Sequence, residues 1–125
     1  MAKVLLIDDD ESVRSSLREM LVCSNFEVVE CTDGSNALEL YQSNEVDIIL
    51  TDLIMPHKDG LQTILELKEK HPRVKIIAMT AGLPDAQYSS KVLLPMAKDF
   101  GACSLIRKPC ALDELLEVIN AALAD

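Results

Sequence analysis

Acidic residues cluster directly after an apolar run near the start of the chain. The run Val4–Ile7 is followed without a break by Asp8, Asp9 and Asp10. Two carboxylates about 4 Å apart repel by roughly 4 kcal/mol at an effective dielectric constant near 20, so this arrangement needs a compensating partner. Carboxylates grouped in this way either share protons or bind a hard divalent cation through oxygen.

Three more polar residues occupy the same kind of position later in the chain. Asp52, Thr80 and Lys108 each follow an apolar run of strand length. Ligands of open parallel α/β sheets bind beyond the carboxyl ends of the strands, so these side chains are expected to meet at one edge. The residues predicted to converge there are Asp8, Asp9, Asp52, Thr80 and Lys108.

Carboxylates, an ammonium group and a hydroxyl directed at one point describe a phosphoryl-transfer site. Mg²⁺ suits such a site because it takes one or two carboxylates and leaves room for a phosphate. Positioning and charge neutralisation then supply most of the catalysis. The evident nucleophile is a carboxylate, and the expected product is therefore an aspartyl phosphate.

Strand-length apolar runs alternate with helical patterns along the chain. The predicted strands cover 3–7, 27–31, 46–51, 74–79 and 104–107. The predicted helices cover 11–24, 35–43, 61–70 and 111–122, with a less regular segment at 81–100. This alternation predicts a doubly wound α/β fold, in which a parallel sheet has helices on both faces. The first, third and fourth runs are continuously apolar, as expected for strands buried on both sides.

Local signals agree with these boundaries. Asp10 can cap the first helix, Asp33-Gly34 marks a turn before the second, and Pro72 ends the third. The last helix is expected to bury one apolar stripe, made of Leu112, Leu115, Leu116 and Ile119.

Composition narrows the classes of function. The 125 residues include 12 basic and 21 acidic side chains, a net charge of −9. This balance argues against direct binding to nucleic acid or to an anionic membrane, both of which favour basic surfaces. No apolar run approaches the ~20 residues that span a bilayer, and no signal peptide is apparent, so a cytoplasmic protein is expected. The four cysteines lack CxxC spacing and are expected to be reduced and mostly buried.

Four segments resemble the successive signatures of bacterial two-component response regulator receiver domains. They are "LLIDDD", "DIILTDLIMPHKDG", "IIAMTA" and "GACSLIRKPC". The resemblance covers essentially the whole chain, so residues 1–125 are expected to form one receiver domain. It implies a flavodoxin-like, five-stranded parallel sheet in the order 2-1-3-4-5 with five helices.

The resemblance also implies a function and a set of metal ligands. Asp52 is expected to accept a phosphoryl group from a histidine kinase or a histidine phosphotransfer protein. The domain would then switch its binding to a downstream protein, acting as a self-phosphorylating and self-dephosphorylating signalling switch rather than a turnover enzyme. Asp9, Asp52 and the backbone carbonyl of Ile54 are the implied Mg²⁺ ligands, with Asp8 acting through a bound water.

Thr80 and Lys108 are implied to contact the phosphoryl oxygens. The small residue Ala81 would leave the mouth of the site open, and a cis Lys108–Pro109 bond would aim the lysine inward. Two features depart from the family pattern. Leu105 and Cys110 stand where aromatic residues are usual, and segment 81–100 is longer than usual and is the expected moving part.

The sequence is also compatible with a second function and with two kinds of chain. An alternative function is a haloacid-dehalogenase-type Mg²⁺ phosphatase, with Asp8 as nucleophile and Asp10 as acid/base. Those enzymes need a later acidic motif, and the corresponding stretch here reads "IRKPC". The chain either acts alone or is a fragment of a longer protein.

Overall fold

A five-stranded parallel sheet forms the centre of the computed structural model, which describes residues 2–53, 60–81, 98–99, 101–108 and 111–124. The strands are β1 (Lys3–Ile7), β2 (Glu27–Cys31), β3 (Ile48–Asp52), β4 (Ile76–Ala81) and β5 (Ser104–Lys108). All neighbouring pairs are parallel, and their order is β2-β1-β3-β4-β5. The predicted fold class and strand order are confirmed.

Four α-helices flank the sheet within the described residues. They are α1 (Glu11–Cys23), α2 (Ala37–Ser43), α3 (Gly60–Lys70) and α4 (Leu112–Ala124). The second predicted helix begins with a 3₁₀ turn, Gly34–Asn36, before it becomes α-helical. The remaining predicted helix, fourth in chain order, falls in segment 81–100, where only residues 81, 98 and 99 are described.

Side-chain caps fix the starts of two of these elements. The Asp10 carboxylate accepts hydrogen bonds from the backbone N–H groups of Ser12 (2.9 Å) and Val13 (3.3 Å), which confirms it as the cap of α1. The Asp33 carboxylate accepts from the N–H of Ser35 at 2.7 Å and opens the 3₁₀ turn. Each bond satisfies an amide that the first helical turn leaves without an intrahelical partner.

The core consists of two apolar layers, one on each face of the sheet. Successive residues of the central strands alternate between the layers, so Leu5 and Ile49 lie in one and Leu6 and Leu50 in the other. Helices α2 and α3 cover the first layer, whereas α1 and α4 cover the second. Burial on both faces accounts for the continuous apolar runs of β1, β3 and β4.

Two predictions about burial were wrong in part. Leu112 is exposed because it is the first residue of α4, and the buried line of that helix instead runs through Leu115, Ile119 and Ala122. Cys23 and Cys103 carry exposed free thiols, because Cys23 ends α1 and Cys103 precedes β5. Cys31 is a buried free thiol, as predicted, and Cys110 lies outside the described residues.

Among the described residues, no helix has both the length and the apolar character needed to cross a membrane.

Candidate functional site

The carboxyl ends of β1 and β3 bring three carboxylates together. Ile7, the last residue of β1, pairs in register with Thr51, so Asp8 and Asp52 follow at the same level of the sheet. The carboxylate oxygens of Asp8, Asp9 and Asp52 lie within 4.8 Å of one another. The acidic cluster predicted from residues 8, 9 and 52 is therefore present.

These carboxylates differ sharply in exposure. Asp8 is 0% exposed and Asp52 7% exposed, whereas Asp9 is exposed to solvent. Burying several like charges is costly unless a cation or hydrogen-bond donors compensate. The donor set consists of oxygens only, which is what Mg²⁺ selects. Oxygens that share one Mg²⁺ lie roughly 3–4 Å apart, so small side-chain rotations would bring this set around an ion.

Hydrogen bonds to its backbone groups and to its carboxylate hold Asp8 in place. Its backbone N–H donates to the carbonyl of Cys31 at 3.1 Å, which extends the β1–β2 ladder by one residue. Its carboxylate accepts from the N–H of Asp10 at 2.9 Å. Its carbonyl oxygen accepts from Nη1 of Arg14, also at 2.9 Å. Asp8 is therefore a fixed part of the site, in contrast to the exposed Asp9.

Thr80 lies beside Asp52 on the neighbouring strand. Asp52 pairs in register with Met79, which places Thr80 one residue closer to the carboxyl edge of β4. Thr80 is 3% exposed. The N–H of Leu53 donates to the carbonyl of Met79 at 2.9 Å, so the β3–β4 pairing continues past Asp52. The predicted hydroxyl is thus next to the predicted nucleophile.

The remaining predicted site residues are described in part or not at all. Lys108 ends β5 and pairs with Ala81, so its backbone lies at the same edge as Thr80, while its side chain is outside the described set. The Ile54 carbonyl and the Lys108–Pro109 bond, predicted as a ligand and as a cis bond, also lie outside it. Leu105 is half-buried and packs on the core layer that contains Leu5 and Ile49.

Arg14 is a contact of the site that the sequence reasoning missed. It lies on α1, four residues after the cap Asp10, and reaches back to the Asp8 carbonyl. Its Nε also donates to Oε1 of Glu30 at 3.2 Å. A cation one helical turn beyond a capping aspartate was the available signal, because residues four apart share a helix face.

Cys31 ends β2 next to this group. Burial raises the pKa of its thiol above the ordinary value of 9.0. The thiol donates a hydrogen bond to the carbonyl of Asp33 at 2.7 Å. A protonated, buried donor of this kind serves packing, not nucleophilic chemistry.

At the level of sequence, the chain is similar to response regulators. The family model described as "Response regulator receiver domain" matches residues 4–120. The chain is 35% identical to response regulator MprA of Mycobacterium sp. (strain KMS) over 121 residues, covering 97% of this chain and 50% of that protein. It is 35% identical to transcriptional regulatory protein CpxR of Klebsiella pneumoniae subsp. pneumoniae (strain HS11286) over 123 residues, covering 98% and 50%. The chain spans about half the length of these curated relatives.

At the level of structure, the chain superposes on solved response regulator proteins. A response regulator receiver domain protein from Clostridium thermocellum superposes with a TM-score of 0.87 at 25% identity, covering 99% of this chain and 95% of that one. Chemotaxis protein CheY4 of Vibrio cholerae gives a TM-score of 0.85 at 25% identity, covering 98% of each chain. These matches give no support to a dehalogenase-type phosphatase that uses Asp8.

Proposed function

Because this chain belongs to the response regulator receiver domain family, we propose that Asp52 accepts a phosphoryl group from a histidine kinase or a histidine phosphotransfer protein. The observation that carries the proposal is the carboxylate cluster, whose oxygens lie within 4.8 Å of one another. Asp52 stands at the end of the central strand β3 and keeps 7% of its surface open to an incoming donor. Asp8 is sealed from solvent, so it is poorly placed for the same attack.

The transfer step exchanges one bond to phosphorus for another. A carboxylate oxygen of Asp52 bonds to phosphorus as the P–N bond of a phosphohistidine breaks. The imidazole nitrogen keeps the electron pair of the broken bond and takes up a proton. Because the phosphoryl group ends on the protein, the domain acts as a signalling switch and not as a turnover enzyme.

We assign the metal site to the same edge of the sheet. The proposed ligands of Mg²⁺ are Asp9, Asp52 and the backbone carbonyl of Ile54, with Asp8 acting through a bound water. Mg²⁺ held by these residues would supply neutralisation of the charge on the phosphoryl oxygens. Exposure of Asp9 supports direct ligation, because its carboxylate can adjust toward an ion without disturbing the core. The hydrogen bond from the Asp10 N–H to the Asp8 carboxylate supports an indirect role for Asp8.

Thr80 and Lys108 are the proposed contacts of the transferred group. Thr80 supplies a hydroxyl donor from the strand beside Asp52, and Lys108 ends the strand beside β4. A phosphoryl group on Asp52 adds negative charge and acceptor oxygens between these elements. We propose that this change alters binding of a downstream protein, with no direct role in nucleic-acid or membrane binding. We also propose a cytoplasmic location, which fits membership of the receiver domain family.

We further propose that residues 1–125 form a single receiver domain, supported by the family match over residues 4–120 and by the single sheet.

The proposal is tested by intact mass after incubation with a small phosphodonor and Mg²⁺. Wild type is expected to gain the mass of one phosphoryl group, and Asp52→Asn to gain none. Asp47→Asn is the matched control, because it makes the same charge change at an exposed position before the amino end of β3. Persistent modification of Asp52→Asn would overturn the assignment. If Asp52→Asn were still modified and Asp8→Asn were not, the phosphatase chemistry with Asp8 as nucleophile would be favoured.

A further inference from the structure

One guanidinium ties the end of β1 to the end of β2. Nη1 of Arg14 donates to the Asp8 carbonyl at 2.9 Å, and Nε donates to Oε1 of Glu30 at 3.2 Å. The Arg14 side chain is 15% exposed and its bond to the Asp8 carbonyl is partly buried, whereas the Glu30 side chain is 36% exposed and its bond to Arg14 lies at the surface. The bond to Asp8 is therefore the stronger of the two, because a partly buried hydrogen bond lies in a lower local dielectric constant.

The bond to Asp8 acts on the backbone of Asp9. The carbonyl of Asp8 belongs to the planar peptide unit that also contains the nitrogen and Cα of Asp9. Holding that oxygen therefore fixes the direction in which Asp9 leaves the strand. The Asp8 N–H, bonded to Cys31 at 3.1 Å, fixes the preceding peptide unit in the same way.

We propose that Arg14 is a positioning residue, which orients the Asp8–Asp9 peptide so that the Asp9 carboxylate faces Asp52. This inference rests on the proposed metal site. Glu30 anchors the guanidinium, and the planar fork of arginine supplies two donors at a fixed angle. A lysine has one ammonium group on a flexible stem and cannot hold both partners in this geometry.

Charge alone predicts the opposite effect of removing Arg14. A guanidinium close to the acidic cluster repels a bound cation, so loss of its charge would strengthen Mg²⁺ binding. Loss of positioning would weaken it, because partners that orient metal ligands are typically worth about 10–100-fold in affinity. Whether Mg²⁺ affinity rises or falls when Arg14 is replaced therefore distinguishes loss of charge from loss of positioning.

Arg18 provides the matched control. It lies one turn further along α1, and its Nε pairs with Oε2 of the same Glu30 at 3.5 Å. Its side chain is 48% exposed. Arg18→Gln removes the same charge as Arg14→Gln and also removes one partner of Glu30, while the Arg14 bond to Asp8 is left in place.

The test is calorimetric titration of Mg²⁺ into wild type, Arg14→Gln, Arg14→Lys and Arg18→Gln. Both Arg14 variants are expected to bind Mg²⁺ about 10-fold more weakly than wild type, and Arg18→Gln to stay within about two-fold. Thermal unfolding in EDTA verifies that each variant is folded. If Arg14→Gln does not fold, Arg14→Lys carries the test, since it keeps the charge and the aliphatic stem.

A second readout needs no metal. The N–H of Asp10, which donates to the Asp8 carboxylate, is expected to exchange with solvent faster in the Arg14 variants than in Arg18→Gln, measured in EDTA. Mg²⁺ affinity in Arg14→Gln equal to or tighter than wild type would overturn the inference alone. Absence of Mg²⁺ binding to wild type, or binding unaffected by Asp9→Asn, would overturn the proposed metal site and the inference with it.

Discussion

Neutralising Asp9 is predicted to stabilise the metal-free protein. Asp9 faces two other carboxylates, those of Asp8 and Asp52, at separations of up to 4.8 Å. At that distance each pair repels by about 0.9 kcal/mol with full water screening and about 3.5 kcal/mol at an effective dielectric constant of 20. Because Asp9 is exposed, the water-screened value is the appropriate one. Asp9→Asn should therefore raise the free energy of unfolding by about 2 kcal/mol.

The assay is equilibrium urea unfolding in EDTA at low ionic strength. With a typical slope of about 1–3 kcal/mol per molar urea, the midpoint of Asp9→Asn should rise by roughly 1 M. Asp47→Asn makes the same charge change away from the cluster and keeps an oxygen acceptor for the Lys3 N–H, so its midpoint should stay near that of wild type. Added salt should reduce the gain, since it screens exposed charges.

Mg²⁺ should reverse the order of the urea midpoints of wild type and Asp9→Asn. A ligand stabilises the state that binds it, so saturating Mg²⁺ should raise the midpoint of wild type more than that of Asp9→Asn. An Asp9→Asn midpoint in EDTA at or below that of wild type, or no higher than that of Asp47→Asn, would contradict this prediction. Repulsion among the three carboxylates would then not be a cost of the metal-free fold.

Four further outcomes follow from local packing, capping and burial. Gly34→Ala should cost about 1–3 kcal/mol of stability, because an added Cβ would overlap the buried Oγ1 of Thr63; the double variant with Thr63→Ala should recover part of the loss in urea unfolding. Asp10→Ala should cost about 1 kcal/mol and lower the melting temperature, since it removes the cap of α1. The raised pKa of Cys31 gives stability that is present below its ordinary pKa of 9.0 and is lost as pH rises through the folded-state value. Wild type should therefore lose stability above about pH 9 more steeply than Cys31→Val, and iodoacetamide should label Cys23 long before Cys31.

Much of the fold followed from patterns that tertiary context reinforces. The runs that became β1, β3 and β4 are apolar at nearly every position, and the structure buries them on both faces. Asp10 and Asp33 mark helix starts by local hydrogen bonds, which need no long-range information. Leu112 was placed wrongly because helical periodicity assigns a face but does not say which turn first meets the sheet.

The acidic cluster was predictable for a simple geometric reason. Carboxyl ends of parallel strands share one edge, so residues that follow β1 and β3 must approach each other. The contact of Arg14 with Asp8 was not predictable in this way, because it depends on how α1 is oriented above β1 and β2. The exposure of Cys103 was missed because cysteine is usually buried, and this preference says nothing about a single position before a strand.

The most direct test of Asp52 as the phosphoacceptor is chemical trapping of the phosphorylated residue. Protein treated with a small phosphodonor and Mg²⁺ is reduced with borohydride, which converts an aspartyl phosphate to homoserine, and the modified peptide is then located by mass spectrometry. Phosphorylation of Asp52 with Mg²⁺ should give homoserine at position 52, with its yield abolished by EDTA. Homoserine at position 8, 9 or 10, or an undiminished yield in EDTA, would contradict it.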